Sequence, residues 1–160
     1  MSSRNIDQVD VRGPRFAAWV TTAVVIAVLA VSQVSSVAAA VLLGLQGVVF
    51  AIGAIGGPRK HPYGRIFATF VAPRRGPATE REPVPPLKFA QFVGLVFAAV
   101  GTVSFAVGLP AVGLVATAFA LFAAFLNAAF GICLGCQLYP LVAHLRRARD
   151  YSHRPTRTPV

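Results

Sequence analysis

The sequence has very few charged residues and almost no acidic ones. Of its 160 residues, 12% are charged, and Asp and Glu together number 5. A soluble domain normally has about a quarter of its residues charged, whereas 56% of this chain is hydrophobic and its mean hydropathy is +0.67. This composition excludes a disordered chain, a fibrous protein and an ordinary soluble enzyme. It indicates a membrane protein.

Two long segments, residues 16–58 and 89–145, contain no Asp, Glu, Lys or Arg. One helix crosses a bilayer with about 20 apolar residues, so the first segment holds two spans and the second holds two spans and a tail. Backbone polar groups in lipid must bond within their own segment, which makes these spans helices. We predict an all-α integral membrane protein with two hairpins and four transmembrane helices, at about Phe16–Ser32, Val37–Gly56, Phe89–Val107 and Ala111–Leu134.

All 15 Lys and Arg residues lie outside these spans, and the two hairpin turns contain none. Because basic segments stay in the cytoplasm, we expect both termini and the central loop to be cytoplasmic, in the plasma (inner) membrane. Anionic lipid accounts for the remaining basic excess, and no aromatic stacking platforms accompany it, so no nucleic acid partner is predicted. A cleaved signal peptide is disfavoured because apolar sequence continues to Gly56.

We expect a single membrane domain over residues 1–160. Its parts are an N-terminal tail (1–15), a first hairpin (16–56), a cytoplasmic loop (57–88), a second hairpin (89–136) and a cytoplasmic tail (137–160). In the loop, the apolar spacing over Tyr63–Val71 predicts an interfacial helix that stops at Pro73, and Pro77–Pro86 predicts an extended, exposed strap.

The tail has an apolar stripe that predicts a short amphipathic helix, with Pro140 in its first turn. The stripe consists of Leu138, Leu141, Val142 and Leu145. Beyond it, from residue 151 to residue 160, we expect disorder.

The two hairpins share a sequence pattern. Arg15–Val20 and Lys88–Val93 both read basic, Phe, Ala, any residue, aromatic, Val. A parallel repeat about an axis along the membrane normal is one interpretation, and chance similarity between apolar segments is the other. Two small-xxx-small pairs predict close packing of the second and fourth spans, within the chain or in a homo-oligomer: Gly53 with Gly57, and Gly131 with Gly135.

The predicted spans contain no Asp, Glu, Lys, Arg or His, which argues against a proton pump or a voltage sensor. We found no Ser-His-Asp set, phosphate-binding glycine loop or paired carboxylates in the sequence. Asn127 is expected to bond to a neighbouring helix, through Gln46 or Gln91. The segment His61–Tyr63 is most simply a loop turn.

The two cysteines of the chain, Cys133 and Cys136, form a Cys-x-x-Cys motif at the predicted cytoplasmic end of the fourth span. This spacing places both sulfurs on one helical face, and the reducing cytoplasm argues against a purely structural disulfide. A haem attachment motif is excluded because residue 137 is Gln. The remaining interpretations are redox or sulfur-carrier chemistry, a zinc site completed by His61 and His144, an iron–sulfur cluster shared across a dimer, and simple packing.

Of these interpretations, we favour a catalytic dithiol with no metal and no cofactor. Arg59, Lys60 and His61 occupy the matching place in the first hairpin, and a pseudo-symmetric fold would make them face the dithiol. We predict that they bind an anionic substrate or an acidic partner.

Four stretches carry a resemblance to a known family: Val11–Phe16, Pro73–Arg75, Lys88–Gln91 and Gly131–Tyr139, which contains Cys-Leu-Gly-Cys. Together they resemble the actinobacterial membrane family catalogued as domain of unknown function 4395. Members of that family are often encoded near thioredoxin-like proteins and rhodanese-type sulfurtransferases. The resemblance therefore implies a context in sulfur metabolism, with Cys133 and Cys136 as the functional residues.

These observations support three functional hypotheses. The first is a membrane dithiol protein in thiol redox or sulfur relay, with a thioredoxin-like protein or a sulfurtransferase as its partner. The second is a transporter for a small solute or sulfur compound, and the third is a structural membrane subunit in which the cysteines are incidental. The sequence does not decide whether the protein is an enzyme.

Overall fold

Four helices of the chain are long and apolar enough to cross a membrane. The computed structural model of the protein describes residues 7–77 and 80–152, with side chains described up to residue 144. The four spans are α1 (Arg12–Ser32), α2 (Ser36–Gly56), α5 (Val84–Ala106) and α6 (Pro110–Phe130). The predicted all-α membrane fold is confirmed, and the protein is a multi-pass membrane protein.

The remaining elements lie in the connections at one end of the bundle. They are β1 (Gln8–Asp10), α3 (Pro62–Ile66), a π-helical turn (Phe67–Val71), α4 (Ala72–Arg75), β2 (Arg81–Pro83) and α7 (Leu134–Ser152). The disorder predicted for residues 151–160 falls almost entirely on residues outside the described part of the chain.

Two spans begin earlier than predicted. Helix α1 starts at Arg12 and not at Phe16, and helix α5 starts at Val84 and not at Phe89. Prolines in the first turn permit these early starts, since the first amides of a helix have no intrahelical partner. The first helical turns therefore include basic residues that the sequence interpretation placed outside the spans.

The fourth span ends earlier than predicted, at Phe130 rather than at Leu134. Gly131 takes a left-handed conformation with φ of 70°. Its amide donates to the carbonyl of Asn127, and the amide of Ile132 donates to the carbonyl of Leu126. The bond from Gly131 to Asn127 makes this an αL helix ending, for which glycine is favoured because it has no Cβ.

The central loop is more ordered than the predicted strap. Strands β1 and β2 pair antiparallel, with Val9 opposite Glu82, and the prolines that come after β2 begin α5. The predicted loop helix is present, but it continues past Pro73 to Arg75. The π-helical turn explains this, since the Ala72 amide bonds to the carbonyl of Phe67, five residues back, just before the proline that lacks an amide hydrogen.

Small residues allow the helices to approach closely in the middle of the bundle. The fully buried side chains include Leu43 and Phe105, which belong to a cluster that joins α1, α2 and α5. A Cβ on Gly101 would lie 2.5 Å from the Leu43 side chain, and a Cβ on Gly113 would lie 2.8 Å from the ring of Phe105. Packing of this kind replaces the hydrophobic driving force that is absent between helices in lipid.

The two hairpins make corresponding contacts. Helix α2 packs mainly on α5, and α1 packs mainly on α6. The ring of Phe16 lies 5.8 Å from that of Phe67 in the loop helix, and the ring of Phe89 lies 6.0 Å from that of Tyr139 in α7. This correspondence supports the parallel-repeat interpretation over chance similarity.

The basic residue that opens each hairpin also lies beside the glycine that ends the other hairpin. Arg15 is near Gly131, and Lys88 is near Gly57. The structurally matching glycines are therefore Gly57 and Gly131, each of which terminates a span with positive φ. The two small-xxx-small pairs therefore do not occupy matching places, since Gly57 is the second glycine of one pair and Gly131 is the first glycine of the other.

Candidate functional site

The two cysteines lie in the break between α6 and α7. Their sulfur atoms are within disulfide-bonding distance, and their Cα atoms are 5.2 Å apart. Cys133 directly precedes α7, and its sulfur accepts a hydrogen bond from the Cys136 amide at 3.3 Å. The predicted proximity of the two sulfurs is thus present, but they lie at the start of α7 and not on a face of the fourth span, because Gly131 ends that span first.

The start of α7 is held against α5 by a glycine. A Cβ on Gly135 would lie 2.6 Å from the Cα of Ala90 and 2.7 Å from its Cβ, so the two backbones are in direct contact there. Further along α7, Pro140 lies inside the helix and not in its first turn as predicted. Because Pro140 has no amide hydrogen, it cannot donate to the carbonyl of Cys136, four residues earlier.

Arg15 is the basic residue that the structure brings towards the cysteine segment. Its guanidinium donates to the carbonyls of Ala128 and Ala129 at 3.4 and 3.5 Å and lies near Gly131, two residues before Cys133. Sequence reasoning missed this role, although Arg15 opens the repeated pattern. Glu82 lies near Arg15: burial raises the pKa of the Glu82 carboxyl, and the charge of Arg15 partly opposes that shift.

His61 is buried, with 2% of its surface exposed. Burial lowers the pKa of His61 from 6.5 to about 4, and the neighbouring Gln91 opposes this only in part. Gln91 is close, but within the described part of the chain neither ring nitrogen has a hydrogen bond of good geometry. A Cβ on Gly53 would lie 2.5 Å from the imidazole, so the absence of a side chain at that position makes room for the ring.

The segment around His61 folds back into the bundle and is not a simple turn. The hydroxyl of Tyr63 donates to the side-chain oxygen of Gln46 at 2.8 Å, and Gln46 is itself buried in the middle of α2. The sequence interpretation offered Gln46 as one partner of Asn127. In the structure, Gln46 pairs with Tyr63 instead. The ring of Tyr63 also packs edge-on against the ring of His61, with centroids 5.3 Å apart.

The three basic-cluster residues predicted from the first hairpin point in different directions. Arg59 donates to the carboxylate of Asp7 at 2.7 Å in an exposed ion pair, whereas the Lys60 stem covers Gly56. His61 is buried between helices. The predicted cluster therefore does not form one basic surface, although Arg59 and His61 line the same cavity.

Two cavities lie next to each other inside this end of the bundle. The first, of about 410 Å³, is bordered by His61, Arg65 and the loop helix. The second, of about 370 Å³, lies among α1, α5, α6 and α7 and reaches Cys133 and Asn127. Both volumes are in the range of small-molecule sites. The two cavities share four wall residues: Pro14, Ala17, Leu87 and Gln91.

The four glycines predicted to pack the second span against the fourth have other contacts. Gly53 faces His61 and Gln91, and Gly135 faces Ala90 of α5. Gly57 and Gly131 end their helices. The main neighbours of α2 are α5 and α1, since the two hairpins are arranged so that α2 and α6 lie diagonally apart.

Among the side chains that the structure describes, within residues 7–77 and 80–144, no group of three His, Cys, Asp or Glu is placed to hold a metal ion. The zinc ligand set considered from the sequence, in which His61 and His144 join the two cysteines, is therefore not assembled in that part of the chain.

The chain is thus a multi-pass membrane protein with four candidate spans and a Cys-x-x-Cys pair at the start of a peripheral helix. Residues 9–144 match the family described as Domain of unknown function (DUF4395), and the chain belongs to that family. This bears out the family resemblance seen in the sequence. No curated protein and no solved structure matches the chain.

Proposed function

We propose that this protein is a membrane dithiol protein whose cysteine pair exchanges disulfides, or passes sulfane sulfur, with a soluble partner. One observation carries the proposal: both sulfurs lie within bonding distance at the first turn of α7, beside a cavity. Two thiols at that separation can form and break a disulfide without backbone rearrangement. The proposal treats residues 1–160 as one membrane domain.

Cys133 is the attacking residue in this proposal, and Cys136 resolves the mixed disulfide. The N-terminus of a helix favours negative charge, and the Cys136 amide already donates to the Cys133 sulfur. Both features favour a thiolate at Cys133 in the reduced protein. Attack on a partner disulfide forms one mixed disulfide and releases one partner thiolate. Cys136 then displaces the second partner sulfur, so the protein becomes a disulfide and its two electrons and two protons pass to the partner, which leaves as a dithiol.

The cysteine end of the bundle faces the cytoplasm in this proposal, and the membrane is the plasma membrane. The basic residues of the N-terminal tail, the loop and the C-terminal tail support that orientation. A soluble protein of the thioredoxin-like or rhodanese type could then reach Cys133. Arg15 of α1 contacts the C-terminal end of α6 and so supplies positive charge close to the cysteine segment.

The experiment is a thiol titration of the purified full-length protein. The chain has two cysteines, so Cys133→Ser and Cys136→Ser each leave a single thiol to follow. We expect the wild type purified without reductant to resist a mass-tagged alkylator until it is reduced. After reduction, the thiol left in Cys136→Ser should react at least tenfold faster than the thiol left in Cys133→Ser.

Two reduced, slow and equally reactive thiols in the protein as isolated would contradict the proposal. The double variant Cys133→Ser with Cys136→Ser is the control for tagging at other side chains. Orientation is tested separately: Tyr151→Cys in the double variant should react with an impermeant reagent in inverted but not in right-side-out vesicles.

A transporter for a small solute is the second candidate. The two adjoining cavities inside the bundle favour it, because together they are lined by buried polar side chains such as His61 and Gln91. Uptake of thiosulfate by proteoliposomes that contain the cysteine-free variant would support transport over thiol chemistry.

A further inference from the structure

Two phenyl rings that border the second cavity also lie on the exposed face of α6. Phe119 and Phe122 both line it, yet each has 57% of its surface exposed on the outer face of α6, where lipid lies. A molecule could therefore enter from the hydrocarbon region between these rings. This property favours a lipid-soluble ligand over a water-soluble one.

The same cavity changes character along its length. Phe119 lies 11 residues before the end of α6, which corresponds to about 16 Å along the helix axis. The deep part is lined by aromatic rings, and Phe97 stacks on Phe119 with centroids 5.9 Å apart and an angle of 24° between the planes. The cavity extends from there to Cys133.

Two carboxamide side chains, those of Gln91 and Asn127, are among the polar groups that line this cavity. Carboxamide N–H groups can donate to carbonyl oxygens, so the site suits a flat ring with carbonyl groups and an apolar tail.

We infer that the second cavity binds a lipid-soluble quinone, which exchanges two electrons with the Cys133–Cys136 pair. The ring would lie near Gln91 and Asn127, and the isoprenoid tail would leave between Phe119 and Phe122. This inference rests on the proposed dithiol function and names the membrane-side reactant for that site. The soluble partner would meet the same two cysteines from the cytoplasm.

The reaction is balanced. Two S–H bonds, one on Cys133 and one on Cys136, break and one S–S bond forms, which releases two electrons and two protons. The quinone takes up both electrons and both protons, and its two carbonyl oxygens become the hydroxyls of a quinol. A soluble dithiol partner then reduces the cysteine pair again and is itself oxidised to a disulfide.

The test uses full-length protein, reduced, desalted under nitrogen and mixed with ubiquinone-1, whose ring positions are all substituted and cannot add a thiol. We expect one quinol formed for each cysteine pair oxidised. Ala124→Phe fills the cavity beside Asn127, and we expect it to slow quinone reduction at least tenfold. The matched control is Ala118→Phe, the same change on the same helix at an exposed position that does not line the cavity.

Binding is measured apart from electron transfer through the single tryptophan, Trp19, whose ring lies 6.4 Å from that of Phe125. Ubiquinone-1 should quench Trp19 in the cysteine-free variant and quench it less in Ala124→Phe. Alkylation rates and thermal midpoints of Ala124→Phe and Ala118→Phe show whether each variant is folded with reactive thiols.

The outcomes separate the two ideas. Thiols that exchange with a soluble disulfide but do not reduce ubiquinone-1 would overturn the quinone inference and leave the proposed function standing. Thiols inert towards both reagents would overturn the proposed function and the inference with it. Equal slowing by Ala118→Phe and Ala124→Phe, in folded proteins, would overturn the placement of the quinone in this cavity.

Discussion

The two hairpins are built alike but differ in the segment that comes after their second span. After α2, four residues lead to His61, which precedes α3, and after α6 two residues lead to Cys133, which precedes α7. His61 lies inside the bundle against Gly53 and Gln91. The cysteine pair lies at the surface of the bundle, beside Ala90. One scaffold thus presents a buried imidazole in one half and a sulfur pair in the other.

The longer connection after α2 is the feature that lets the chain turn back into the bundle. It carries Tyr63 deep enough to bond Gln46 in the middle of α2. The shorter connection after α6 keeps α7 along the outside of α5, where Gly135 permits backbone contact. A difference of two residues therefore decides which half has a buried His61 and Tyr63 and which half has the cysteine pair.

The largest expected effect comes from Gly135→Ala, which would remove the contact that holds the cysteine segment. The added methyl would meet the backbone of Ala90 at 2.6 Å, and backbone cannot move aside as a side chain can. We expect a loss of about 3 kcal/mol in the free energy of unfolding and slower disulfide formation. Thermal unfolding in detergent and mass-tag alkylation measure the two effects.

The control for that variant is Gly44→Ala, where the nearest atom, in Thr102, would be 3.5 Å from the new methyl. Since Ala is the better helix former, Gly44→Ala should be neutral or slightly stabilising. Gly53→Ala is intermediate because the obstacle there is the side chains of His61 and Gln91. A Gly135→Ala protein as stable as the wild type would disprove the close contact of α7 with α5.

His61 should make the first half sensitive to acid. Its pKa is about 4 in the folded protein and near 6.5 when unfolded, so the unfolded state binds more protons between these values. Stability should be full above about pH 6.5 and should fall as the pH drops to 4, by at most about 3 kcal/mol. His61→Gln should flatten this part of the pH profile.

The matched control is His144→Gln, because His144 is exposed on α7 in the other half. That variant should keep the wild-type pH profile. Identical profiles for the wild type and His61→Gln, measured by thermal unfolding from pH 4 to pH 8, would show that the imidazole is not buried as described.

Tyr63→Phe tests the polar anchor of the buried segment. It would leave the Gln46 oxygen buried without its donor, which should cost about 1–2 kcal/mol of stability. Tyr63→Phe combined with Gln46→Leu should cost less than the sum of the two single changes. Tyr139→Phe is the control in the second half, where the tyrosine contacts Phe89 through its ring; an equal cost for both tyrosines would contradict the assigned bond.

The smallest effects are expected from replacing Arg15 or Lys88, the basic residues of one hairpin that contact the other hairpin. Arg15→Gln would remove an exposed contact with the carbonyls of Ala128 and Ala129, worth about 0.5 kcal/mol. It should also slow alkylation of Cys133 by a few-fold, because the nearby positive charge is lost. Lys88→Gln, the corresponding change beside Gly57, should leave that rate unchanged, and equal slowing by both would argue for a general effect of net charge.

Part of the candidate site could be predicted from the sequence. The Cys-x-x-Cys spacing in a chain with two cysteines singled out Cys133 and Cys136, and the fold places their sulfurs together. The role of Arg15 and the burial of His61 could not be predicted in the same way. Both depend on contacts across the repeat, between residues far apart in the chain, and no local pattern encodes such contacts.

The helix ends show the same limit. The bounds of the spans were predicted to within a few residues, but Gly131 was taken as part of a packing motif when it is the end of α6. A glycine can serve either purpose, and its φ of 70° is a property of the folded chain.

Composition and spacing were enough to establish four helices able to span a membrane, joined in two hairpins, because hydrocarbon excludes charge and requires about 20 apolar residues for each crossing. Which polar groups are in contact, in contrast, was decided by the tertiary structure. Whether His61 lies beside Gln91, and whether the cysteine pair reaches the aromatic cavity, depends on which helices become neighbours. That choice is made by close packing at a few small residues such as Gly53 and Gly135.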